Sequence, residues 1–147
     1  MAITTNAITN TFKEDLLQGT QTFVAAGGDT FKLALYTSAA TIGADTTSYA
    51  AGIGGQVGDS GQYAAGGGAL VTALVSVNGA TAFVDFNDLS FTGVTLTARG
   101  ALIYNDTEAG DPSVCVLDFG GDKTATAGTF TIQFPNANDT QAIIRIA

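Results

Sequence analysis

Apolar and polar positions alternate with a period of two over much of this 147-residue chain, and a period of two predicts strands. At residues 30–37, Phe31, Leu33 and Leu35 alternate with Lys32, Ala34 and Tyr36, the pattern of a half-buried strand. Two β-prone runs, 70–77 and 80–86, flank Asn78-Gly79, a pair that tolerates the positive φ angles of a type I′ turn, so they predict a hairpin. Asn87-Asp88 then turns the chain before Leu89-Ser90-Phe91, and Gly93 offers another break. The next stretch, Leu96-Thr97-Ala98-Arg99-Gly100-Ala101-Leu102-Ile103-Tyr104-Asn105, reads as a central strand against which its neighbours must pair. An acidic turn at 105–112 connects it to a strand at 113–119, and Gly120-Gly121-Asp122-Lys123 predicts a further turn. Residues 129–134 alternate again, 135–140 read as a loop, and 141–146 close the chain as a strand. A spacing of about ten residues per strand is the pattern of an all-β sandwich or barrel.

Three segments break this rhythm. Residues 1–10 alternate Ile and Ala with Thr and Asn, which suits an extended arm or a short edge strand as well as a loop. Thr11-Phe12-Lys13-Glu14 has the form of a capping box, so a short helix is expected to about Gln18, stopped by Gly19, with Phe12, Leu16 and Leu17 on its docking side. From 38 to 68 the apolar pattern fades into Gly, Ala, Ser and Thr, and a loop of this length is uncommon unless it is functional or ordered by a partner. The expected fold is therefore all-β and mainly antiparallel, a β-sandwich with a jelly roll as its preferred version and one short N-terminal helix. It forms one domain over 1–147, with an extended arm at 1–10 and a long Gly-rich loop at 38–68.

Composition narrows the chemistry. Hydrophobic residues make up 46% of the chain and charged ones only 12%, which favours a packed domain over disorder. A formal charge of −8, with five scattered Lys and Arg, argues against a nucleic-acid surface, because phosphate binding runs on clustered cations. No window approaches about 18 consecutive apolar residues, so no membrane span is expected, and the N-terminal residues do not have the form of a secretory signal. This chain has no histidine, which removes Ser-His-Asp and Cys-His systems and the usual zinc ligand sets.

The paired carboxylates Asp85/Asp88 and Asp118/Asp122 could serve glycoside hydrolysis, but these are turn-flanking positions, where Asp is favoured for its backbone hydrogen bonds. Asp106, Glu108 and Asp111 resemble a calcium loop without the spacing of an EF-hand, and a solvated acidic turn is the preferred reading. Gly54 to Gly61 lacks the Gly-Lys-Ser/Thr of a phosphate loop. Arg99 is expected to pair with an Asp such as Asp85 or Asp118, Cys115 to be a buried thiol, and Phe83, Phe86, Phe91, Phe119, Phe130 and Phe134 to fill the core. No catalytic, cofactor-binding or metal-ligating residue is assigned.

One resemblance adds to this. Phe31-Lys32-Leu33-Ala34-Leu35-Tyr36-Thr37-Ser38-Ala39-Ala40-Thr41, Tyr63-Ala64-Ala65-Gly66-Gly67-Gly68-Ala69-Leu70 and the Leu96–Asn105 stretch look together like a family of small structural proteins of tailed bacteriophages. Val116-Leu117-Asp118-Phe119-Gly120-Gly121-Asp122-Lys123, Phe130-Thr131-Ile132-Gln133-Phe134-Pro135 and Ala142-Ile143-Ile144-Arg145-Ile146 continue the match in order. The resemblance implies a non-enzymatic virion component made in the host cytoplasm. On that reading the protein is a capsid cement or decoration protein whose partner is the major capsid protein, and which acts as a homo-oligomer, dimer or trimer, without nucleic acid, membrane or cofactor. The alternative is a tail, tail-fibre or adaptor component that binds the host surface.

Overall fold

Strands that alternate in this way must pair, and the computed structural model, which describes residues 3, 5–49 and 54–147, arranges them as two antiparallel sheets with one short helix. Residues 1, 2, 4 and 50–53, parts of the predicted arm and Gly-rich segment, lie outside the described residues. The larger sheet has the order β1 (Ala7–Ile8), β7 (Ser113–Ile132), β6 (Leu89–Asn105), β2 (Phe31–Tyr36), β3 (Gly68–Ala69). The smaller has the order β4 (Thr72–Asn78), β5 (Thr81–Phe86), β8 (Ile144–Ile146). This is the expected all-β, antiparallel architecture. A jelly roll is not confirmed, because one long hairpin of consecutive strands, β6 and β7, dominates the larger sheet.

That hairpin departs from the expected spacing. β6 is 17 residues long and β7 is 20, so neither Gly93 nor Gly120-Gly121-Asp122-Lys123 ends a strand. Gly93 (φ 64°) and Gly120 (φ 73°) do adopt the left-handed conformation that a turn would use, and here it serves β-bulges inside continuous strands. The largest bulge lies where Ala98 pairs with Lys123 and Gly100 with Asp118, leaving Arg99 alone opposite Phe119, Gly120, Gly121 and Asp122. The smaller hairpin also shifts. Asn78 pairs with Thr81, so Gly79-Ala80, rather than Asn78-Gly79, is the turn. Only Gly79 of the two has positive φ (58°), as a type II′ turn requires at its first central position. Moving the turn by one residue slides the pairing by two, so the faces predicted for each side chain survive.

The helix α1 (Asn10–Gln18) is capped by Thr9, whose Oγ1 accepts from the Phe12 N–H at 3.3 Å, and not by the Thr11 capping box. Thr9 is chosen because the chain has just left β1, and its hydroxyl is held at the β7 backbone, donating to the Ser113 carbonyl at 3.1 Å. Phe12 is buried and Leu16 partly so, but Leu17 points to solvent, outside the expected docking side. At the other end Gly19 (φ 74°) closes the helix, its N–H reaching the Leu16 carbonyl.

Two apolar clusters cover opposite faces of the larger sheet. On one, Phe31, Leu33, Leu35, Ala101, Ile103 and Leu117 meet Val84, Phe86 and Ile144 of the smaller sheet. Phe23 stacks on Phe31 with ring centroids 4.4 Å apart, and Phe86 packs against both Phe31 and Phe134, tying the two sheets together. On the other face, Ala34, Tyr36, Leu102, Tyr104 and Val116 pack with Ile3, Ala40 and Ile42. β2 is thus buried on both faces, apart from Lys32, and is not the half-buried strand its alternation predicts.

Candidate functional site

The 38–68 segment is the first place to look for a binding loop, and its described residues form instead a layer over the second face of the larger sheet. Three of the chain's four tyrosines, Tyr36, Tyr49 and Tyr104, gather there, whereas Tyr63 packs edge-on against Phe91 in the cluster on the first face. Tyr49 stacks on Tyr104 with centroids 4.4 Å apart, and its hydroxyl accepts from Gln56 Nε2 at 2.8 Å. Tyr104 Oη donates to the Gly66 carbonyl at 2.7 Å, and Tyr63 Oη accepts the Leu35 N–H at 2.8 Å. Thr37 donates to the Gly55 carbonyl and Val57 to that of Leu35, so backbone pairing also holds the segment. At Gly67 (φ 84°) a Cβ would strike the Leu33 carbonyl, so the close approach of the segment to β2 requires glycine. Gly55, Gly61, Gly67 and Gly68 serve close packing, and most polar side chains of the described residues of the segment are hydrogen-bonded within the fold. The N-terminal residues behave likewise: Ala7 and Ile8 pair with Val116 and Cys115, and Ile3 is buried against Gly100.

Residues with reactive chemistry are similarly engaged. The bulge in β7 brings Asp118 and Asp122 together around Arg99, at 3.7 Å from Nε and 3.6 Å from Nη1. Arg99 therefore pairs with Asp118, as expected, and with Asp122, while Asp85 has no part in it. Asp118 Oδ1 also accepts the Gly120 N–H at 2.9 Å, which helps to shape the bulge. Asp88 Oδ1 accepts the Phe134 N–H at 2.9 Å, so it ties β8's approach segment to the β5–β6 junction. Burial pushes the Asp85 carboxyl above its usual range, with the negative charge of Asp88 adding to the effect, and Asp85 Oδ1 is enclosed without a hydrogen-bond partner.

In the acidic turn, Asp106 pairs with Lys32 at 3.0 Å, and the Asn105 side chain organises the loop. Its Oδ1 accepts from the Thr107 and Glu108 amides, and its Nδ2 donates to Asp29 at 2.9 Å and Gln21 at 3.1 Å. Among the described residues no three acidic, Cys or His side chains converge as a metal would need. Cys115 is fully enclosed, and burial pushes its thiol up to about 12. Asn105 and Ser113 are buried polar hubs that pattern reasoning missed. Each lies in or next to an apolar run and gives no signal except its polarity in such a place.

The surface feature left unengaged is apolar. On the smaller sheet Val71, Leu74, Val75, Val77 and Ile146 are each at least 42% exposed. Among the described residues β4 has β5 on one side and no strand on the other, and paired residues share a face, so Val75 and Val77 lie on the same side as Ala82, Val84, Ile144 and Ile146. The inner part of that face joins the core through Val84 and Ile144, and its outer part is open. An open groove of about 580 Å³ borders β1, β7 and β8, lined by apolar Ile8, Leu117 and Ile143 and by polar Asn6, Gln141 and Arg145 among others. Among the described residues no helix is long and apolar enough to cross a membrane. Comparison with protein-family models, with curated proteins and with solved structures finds no match for this chain.

Proposed function

We propose that this chain is a non-enzymatic structural component of a tailed-phage particle, a cement or decoration protein that binds and stabilises the major capsid shell. The observation that carries the reading is the division of labour among its side chains. Asp118 and Asp122 pair with Arg99, Tyr104 pins the Gly-rich segment and the thiol is enclosed, whereas Val75 and Val77 on one face of β4 and Leu74 on the other are left open. A surface of that kind supports association more readily than catalysis. The resemblance of the 31–41, 63–70 and 96–105 stretches to phage structural proteins supplies the setting. A shell protein would also gain from the covering of both faces of the larger sheet, because a rigid body loses little conformational entropy on attachment.

Deleting the gene from the phage that encodes this chain tests the reading. Particles lacking the protein should assemble with tails and adsorb to host cells, yet release their DNA at a lower temperature than wild type. Adding back the purified chain should restore the release temperature. Tailless particles, or intact shells of unchanged heat resistance that fail to adsorb, would move the protein to the tail.

A further inference from the structure

Among the described residues the outermost strands of the two sheets are β1, β3, β4 and β8. β1 and β3 are two residues long and leave most of β7 and the first half of β6 with a strand on one side only, but those stretches carry the bulges, which disrupt a regular edge. β8 has three residues with Arg145 at its centre. β4 has seven residues, Thr72-Ala73-Leu74-Val75-Ser76-Val77-Asn78, without charge or proline. Sheets ordinarily protect their edges by shortness, charge or proline, because a free row of N–H and C=O groups is a template for another strand. The register shows which groups are free. A two-residue turn makes Asn78 and Thr81 a doubly hydrogen-bonded pair, so such pairs recur at Ser76–Phe83 and Leu74–Asp85. Val75 and Val77 therefore turn their backbone N–H and C=O away from β5, and their side chains are 51% and 66% exposed.

We propose that β4 pairs antiparallel with β4 of a second copy of this chain, about a two-fold axis at Ser76, joining two three-stranded sheets into one of six strands. The strand is complementary to itself in this register. Val75 exchanges its free backbone groups with the partner's Val77, Leu74 faces the partner's Asn78, and Ser76 faces its own copy, hydroxyl to hydroxyl. Pairing over Leu74–Asn78 also stays clear of the bulge between Thr72 and Leu74.

Self-complementarity points to a second copy as the occupant, and charge does not oppose it at this strand. Two chains of −8 repel wherever their carboxylates meet, and β4 is a strand on which no charge of either copy lies. The contact is isologous, so it closes at two copies and leaves no further free β4 edge for fibre growth. It also makes the apolar stripe of Val75 and Val77 continuous across the axis with the same stripe of the partner. A single strand pair buries less than the roughly 1,200 Å² of a standard interface, which places the dimer in the micromolar class in solution. The pairing does not depend on where in a particle the protein sits.

Sedimentation of the full chain from about 5 to about 200 µM reads this directly. The wild-type chain should pass from monomer to dimer over the range, and Val75→Lys should weaken the association at least tenfold with an unchanged circular dichroism spectrum. Opposed Ser76 residues form a pair without mutual backbone hydrogen bonds, with Cα atoms about 4.5 Å apart, inside the range of a disulfide. Ser76→Cys should therefore cross-link under oxidised glutathione, whereas Thr92→Cys, exposed on β6, should not; the enclosed Cys115 offers no competing thiol. A wild-type monomer throughout, or a Ser76→Cys chain that cross-links no faster than Thr92→Cys, overturns the proposal. If Val75→Lys fails to fold, the cysteine pair decides alone. A monomeric wild type whose Val75→Lys form no longer binds phage shells overturns it as well, and assigns the edge to a strand of the shell.

Discussion

Tyr36 and Tyr104 occupy neighbouring places under the Gly-rich layer and differ in one respect, the fate of the hydroxyl. Tyr104 Oη donates to the Gly66 carbonyl, whereas Tyr36 Oη is buried with no partner; Gln56, near enough to bear on its ionisation, gives its amide proton to Tyr49 instead. Tyr104→Phe should therefore cost about 1–2 kcal/mol, because it leaves a carbonyl unpaired while keeping the stack on Tyr49. Tyr36→Phe should be neutral or stabilising by up to about 1 kcal/mol, because it removes a buried polar atom that gains nothing. Urea denaturation of the two variants separates these outcomes. The same burial sets an alkaline limit. Desolvation pushes Tyr36 and Tyr63 up to about 12 and Tyr104 higher still. The fold holds these phenols in the neutral form, so their contribution is complete below the unfolded value of about 10 and is lost as pH rises through 10 to 12. The urea midpoint should fall across that window.

At the scale of elements the bulges of β6 and β7 decide the shape. Among the described residues Ala127 is one of two non-glycine residues in the left-handed region, at φ 44°, and its N–H donates to Thr95 Oγ1 at 2.9 Å across the hairpin. Ala127→Gly should relieve strain of roughly 1–2 kcal/mol, partly offset by the added freedom of the unfolded chain, for a net gain of about 0.5–1 kcal/mol. A urea midpoint unchanged or lowered would show that this backbone carries no such strain. The same bulges mark the limit of what the pattern reveals. Alternation showed that strands exist at 30–37, 70–86 and 96–105, and which side chains share a face. It could not show whether Gly93 and Gly120 end a strand or kink one, because a turn and a bulge ask the same positive φ of a glycine. Lys32, Ala34 and Tyr36 read as a solvent face because the segment that covers them has no period of its own. β4 misled in the opposite sense: Leu74, Val75 and Val77 have a core composition but lie open. Residues near a helix start are no easier, since Thr9 and Thr11 are both eligible caps and tertiary contact with Ser113 settles the choice.

For the whole molecule, the two sheets have different roles. The larger is covered on both faces, by the smaller sheet and helix side on one and by the tyrosine-pinned segment on the other, and its outermost strands, β1 and β3, are two residues long. The smaller carries the open edge and the open apolar face. A body built in this way can attach through one strand while the rest stays rigid, and many weak attachments over a lattice add to a strong one. Low charge density helps close approach to a neighbour, and on the pairing proposed above two copies of net −8 meet at β4, which carries no charge. The most direct test of the structural role is the number and position of copies in the intact particle, from quantitative mass spectrometry of purified virions together with cryo-electron microscopy. The account predicts on the order of hundreds of copies spread over the shell, with density at the junctions between capsid subunits. A few dozen copies or fewer, confined to the vertex or the tail, would contradict it.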